Sequence, residues 1–128
     1  MEDSSTLASP GTLSFLDFWR WLTAHPNCIL RAGTTDSVLY DQEDFYWHFG
    51  SEETGTLLVQ VVRGKRMIGE IFVDPEEIDY VESSPGEMEG EFLFQLVSEV
   101  ESGPSRLFFF GMVHAYDEAG AEGAAHVH

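Results

Sequence analysis

The chain is expected to fold as an α+β domain, with an N-terminal helix packed on a mostly antiparallel sheet of about six or seven strands joined as hairpins. Three observations point there. Phe15, Phe18, Trp19 and Leu22 fall at i, i+3, i+4 and i+7, one apolar helix face. After Pro26 the period shortens to two, with short β-branched and aromatic runs broken by turn residues. Between Leu57 and Val73 two such runs flank Arg63-Gly64-Lys65-Arg66, the clearest hairpin in the chain.

Residues 1–12 are small, polar and broken by Pro10 and Gly11, and read as a flexible arm. Residues 13–116 read as one domain. Ser14 suits a helix N-cap, with Asp17 three residues on, and Pro26 stops the helix, which spans about 14–25. Leu16 and Trp21 lie off the stripe. Cys28–Arg31, Ser37–Tyr40 and Phe45–Phe49 are strand candidates, the last two joined by the acidic turn Asp41–Asp44. Phe45, Trp47 and Phe49 share one face, and Tyr46 and His48 the other. Gly64-Lys65 suits a two-residue type II′ turn, which needs Gly first and sets Val62 opposite Met67.

Asp74-Pro75-Glu76-Glu77 reads as N-cap, N1 proline and acidic first turn of a short helical segment reaching about Val81, with Ile78 and Val81 inward. Pro85-Gly86 turns the chain. From Glu87 to Glu101, Met88, Phe92, Phe94, Leu96 and Val100 share one parity, and the acidic residues the other, so a strand with a dry and a wet face is expected. A turn at Ser102–Ser105 leads into Arg106–Tyr116, apolar on both faces and so either central or covered on its second face by the helix, with Arg106 facing Glu101. Residues 117–128 form an Ala/Gly-rich tail expected to be flexible.

The 128 residues carry 23 Asp and Glu against 6 Lys and Arg, a formal net charge of −17. Such a balance argues against binding a nucleic-acid backbone or an anionic membrane, both of which call for clustered cations. With 43% hydrophobic and 13% aromatic residues the chain has the material for a core. Cys28 is the single cysteine, so no intrachain disulfide is expected. No basic-then-apolar leader and no apolar run of about 20 residues is found, so a soluble, cytoplasmic protein is expected.

No Gly-rich phosphate loop, nucleophile elbow, paired-cysteine zinc spacing or His-Glu-x-x-His is found, and no cofactor or metal is implied. Cys28 near His25 reads as a buried small side chain rather than a nucleophile. His126 and His128 make a His-x-His too sparse for a rigid metal site. Charge placement is the least random feature. From Glu70 to Glu101 there are eleven acidic residues and no Lys or Arg, while three of the six cations sit at Arg63, Lys65 and Arg66.

The leading expectation is thus a non-enzymatic acidic protein-binding module of the inhibitor, immunity-type or adaptor kind. It would engage a basic protein through a carboxylate-rich sheet face of Glu87, Glu89, Glu91, Glu99 and Glu101, with Asp79 and Glu82 nearby. The alternative is a small-molecule-binding or catalytic domain with a pocket between helix and sheet. Trp19, Trp47, Phe94 and Phe110 would line it, and His48, Glu70 and His114 would supply polar groups. A third reading is a subunit that forms a homodimer through an exposed strand.

Overall fold

Helix α1 (Phe15–Thr23) starts where the side-chain pattern predicts, because the Ser14 hydroxyl accepts a hydrogen bond from the backbone N–H of Asp17 at 3.1 Å. Pro26 opens a 3₁₀ turn (Pro26–Cys28) that ends the helical path. The structure is a computed structural model that describes residues 11–116. The expected tail from 117, with His126 and His128, and the arm up to residue 10 lie outside the described residues.

Among the described residues there are nine strands in two sheets, where six or seven in one were expected. They are β1 (Gly11–Leu13), β2 (Ile29–Thr34), β3 (Val38–Tyr40), β4 (Tyr46–Ser51), β5 (Leu57–Arg63), β6 (Arg66–Val73), β7 (Tyr80–Pro85), β8 (Phe92–Val100) and β9 (Gly103–Met112). The larger sheet runs β1-β7-β8-β9-β2-β3 and the smaller one β4-β5-β6, with every pairing antiparallel. β9 is central, flanked by β8 and β2, the first of the two arrangements its apolar faces allow.

The two unexpected strands are β1 and β7, which pair with each other. Gly11 and Thr12, assigned above to the arm, lie in β1 opposite Ser83 and Glu82. The helical segment after Asp74 is only the 3₁₀ turn Pro75–Glu77, capped by the Asp74 carboxylate on the N–H of Glu76. Ile78 and Val81 are buried, as expected.

The core lies between the inner face of the large sheet and a second layer made of α1 and the small sheet. Phe18 sits 5.1 Å from Phe94 and 5.7 Å from Phe110, ring centre to ring centre. Trp21, placed off the stripe in the sequence reading, is buried against Phe94 and Tyr116. The buried arc is therefore turned toward Trp21. Trp19 lies at its edge and meets Phe49 of β4 edge-on at 5.6 Å. The helix has two neighbours, which a single stripe does not describe.

β4 alternates as predicted, and β5 and β6 alternate with it. Trp47, Val59, Val61, Ile71 and Val73 face inward, and Tyr46 and His48 face out. Gly64 has φ +62° with Val62 opposite Met67, the arrangement a type II′ turn needs.

Candidate functional site

The acidic residues do not form one sheet face. Only Glu99 of the expected carboxylate row lies within β8. Gly86 donates its N–H to the Glu91 carbonyl at 2.7 Å, and the Glu91 N–H reaches the Met88 carbonyl at 3.0 Å. These bonds close residues 86–91 into a loop, so Glu87 and Glu89 are loop residues, and Met88 is exposed rather than inward.

Glu91 is not exposed at all: its side chain retains 1% of its accessible surface. It lies over the outer face of the large sheet, where Arg31 of β2 donates through Nε at 2.8 Å and Nη2 at 3.3 Å. The backbone N–H groups of Glu87 and Met88 also donate to Glu91 Oε1, at 3.1 and 3.3 Å. Burial pushes this carboxyl's pKa up. The Arg31 and backbone hydrogen bonds, with the attraction of Arg31, outweigh burial and hold it below the ordinary value. Arg31 packs 5.4 Å above the Phe109 ring. The carboxylate fits because the facing residue of β9 is Gly111: a Cβ there would collide with Glu91 Oε2. Glu91 pins the loop to the sheet and presents no charge to a partner.

Glu82 is also compensated. Arg106 pairs with it through Nε at 2.8 Å and Nη2 at 3.2 Å, and not with Glu101 as expected. The β8–β9 register sets this: Val100 faces Gly103 and Val97 faces Arg106, so Glu101 sits in the turn itself.

Five of the seven predicted partner-binding carboxylates remain outward, in two groups at opposite ends of β8. Glu87 and Glu89 lie before it, and Glu87 reaches Arg31 at 3.5 Å. Asp79, Glu99 and Glu101 lie at the other end. There the chain orders the carboxylates: Asp79 accepts from the Glu99 N–H at 2.6 Å, and Glu99 accepts from the Tyr80 hydroxyl at 2.7 Å. That hydrogen bond, then burial and the negative charge of Glu99, raises the pKa of Tyr80 above its ordinary value.

The seven predicted pocket residues are dispersed. Phe94 and Phe110 are solid core with no exposed surface. Trp47 points inward and donates its indole N–H to Asp41 at 3.2 Å, whereas its neighbour His48 faces the other side of the sheet. Trp19 is on the helix flank, and His114 is exposed beyond the end of β9. His48 and Glu70 do belong together, across Gln60. The His48 Nδ1–H donates to Gln60 Oε1 at 3.4 Å, and Gln60 donates to Glu70 Oε2 at 2.6 Å. Cys28 is half-buried, and burial pushes its thiol pKa up, which disfavours the thiolate. Among the described residues no three His, Cys, Asp or Glu side chains gather as a metal centre requires, and no helix is long and apolar enough to cross a membrane.

No protein-family model, curated protein or solved structure matches this chain.

Proposed function

We propose that the protein is a non-enzymatic binding module that docks a basic protein partner through the acidic end of its large sheet. The observation that carries this reading is the ordered carboxylate pair Asp79–Glu99, held by the Glu99 N–H and the Tyr80 hydroxyl, with Glu101 in the adjoining turn. Glu76 and Glu77 precede it on the exposed 3₁₀ turn. Of the three cations elsewhere on the body, Arg31 and Arg106 are taken up by Glu91 and Glu82, and Arg20 lies 3.8 Å from Asp17. Among the described residues no Lys or Arg forms an ion pair with Asp79, Glu99 or Glu101. A net charge of −17 steers a cationic partner from a distance, and a preordered carboxylate cluster receives it.

The test is comparative affinity capture from native lysate in low salt, using wild type and the triple variant Asp79→Asn, Glu99→Gln, Glu101→Gln. Basic proteins retained by wild type should be lost from the variant, and released from wild type by high salt. Identical retention by both proteins would reject the reading.

A further inference from the structure

The outer face of the small sheet carries large apolar side chains and is covered by no other element among the described residues. Its three cross-strand rows are Tyr46–Val62–Met67, His48–Gln60–Glu70 and Gly50–Leu58–Phe72. Tyr46, Met67 and Phe72 are 67%, 54% and 51% exposed. A monomer seldom shows so many large apolar side chains on one face unless that face binds something. The polar row between them is internally bonded, yet His48 Nε2 and Glu70 Oε1 have no partner among the described residues.

We infer that this face is the contact surface of a symmetric homodimer. A two-fold axis parallel to β5 exchanges β4 and β6, so each row meets its own copy. Across that axis the row's basic end lies over its acidic end: His48 faces Glu70 of the second copy, twice. With Nδ1–H committed to Gln60, His48 reaches that carboxylate through Nε2–H, in its imidazolium form. In the outer rows Tyr46 faces Met67. Phe72 faces Gly50, the one position in the three rows without a side chain, which leaves room for the ring. Two aligned sheets pack in this way at about 10 Å. Of the two two-fold axes in the plane of the face, this one alone combines the charge match with the Phe72–Gly50 fit. A two-fold axis along the rows would set Glu70 against Glu70.

The patch is three strands wide at about 4.8 Å each and about six residues long, smaller than a standard interface, so the dimer is reversible. The same operation gathers both Arg63–Arg66 tips at one end, a repulsion that salt relieves.

The test is sedimentation velocity at about pH 6 and about 0.15 M salt, from about 5 to about 500 µM. Wild type should rise from 14.4 kDa toward twice that mass. Phe72→Glu and Tyr46→Lys, both at exposed positions, should each weaken association at least tenfold. His48→Glu and Glu70→Lys should do so singly and restore association together, since the Gln60 amide can turn over to serve the reversed charges. A wild type that stays monomeric throughout overturns the inference. So does a dimer indifferent to Phe72→Glu and Tyr46→Lys, or a double charge reversal without rescue. The Asp79→Asn, Glu99→Gln, Glu101→Gln variant should dimerise like wild type, which separates this surface from the acidic end.

Discussion

Arg31 and Glu91 are 60 positions apart in the chain and meet at 2.8 Å on the outer face of the large sheet, joining β2 to the loop that feeds β8. The Glu91 side chain is 1% exposed and that of Arg31 is 16% exposed. Removing one member of such a pair strands the other, a far larger effect than losing a surface ion pair. Glu91→Ala is expected to cost about 3 kcal/mol, read as a lower denaturation midpoint. A midpoint equal to wild type would show that the loop is held by its backbone bonds alone.

The same carboxylate couples folding to acid. Its pKa is lower in the folded chain than in the unfolded one, so the unfolded state takes up the proton first as pH falls. The Glu91 contribution is complete above the ordinary carboxylate range and is lost as pH drops through the depressed folded value. Glu91→Gln should be less stable than wild type near neutrality, and the gap should narrow in acid. Parallel stability curves for the two proteins would contradict this.

Gly111→Ala tests the same lock from the opposite strand. The added methyl lands on Glu91 Oε2 and close to Arg31 Cγ, so the pair must separate. We expect a loss of about 1–3 kcal/mol and faster hydrogen exchange at the N–H groups of Glu87 and Met88. Unchanged exchange at those two amides would exclude Gly111 as the seat of the carboxylate.

The helix predicts an order of effects. Trp21 is 1% exposed among Phe18, Phe94 and Tyr116, whereas Trp19 is only partly buried against Phe15 and Phe49. Trp21→Ala should cost about 3–5 kcal/mol and Trp19→Ala clearly less. The reverse order in chemical unfolding would mean the helix is rotated relative to the sheet.

At the β5–β6 tip, Gly64→Val places a β-branched residue at φ +62°. The left-handed region costs such a residue about 1–2 kcal/mol, which should lower Tm by several degrees. An unaltered melting curve would count against the tight turn.

The sequence is legible where one face of an element is wet and the other dry. Tyr46 and His48 alternate with Trp47 and Phe49, and Ser14 and Pro26 mark the helix ends, so these parts emerge correctly. β7 was hidden because its inward positions are Val81 and Ser83, and a buried serine gives no apolar period. β1 has three residues and exists through its pairing with β7. The Asp41–Asp44 turn reads as a hairpin, but β3 pairs with β2 while β4 joins β5, so the turn passes from one sheet to the other. For the candidate site, the His48 face was legible from parity. Its alignment with Gln60 and Glu70 depends on cross-strand register and was not. Glu87–Glu91 continue the parity of β8 although they form a loop, and nothing local announces that Arg31 will bury one of those glutamates.

The small sheet is one uninterrupted stretch of chain, Tyr46 to Val73, folded as a meander between neighbours. The large sheet instead joins Ile29 to Met112 across the whole intervening chain. Closing a short loop costs less entropy than closing a long one, so the meander can order before the two ends find each other. The barrier to folding should then be set by the β2–β9 seam. Destabilising changes at Ala32 or Phe110 would slow refolding, and so would changes at the β5–β6 tip, which is already formed at that barrier and so hardly alters the rate of unfolding.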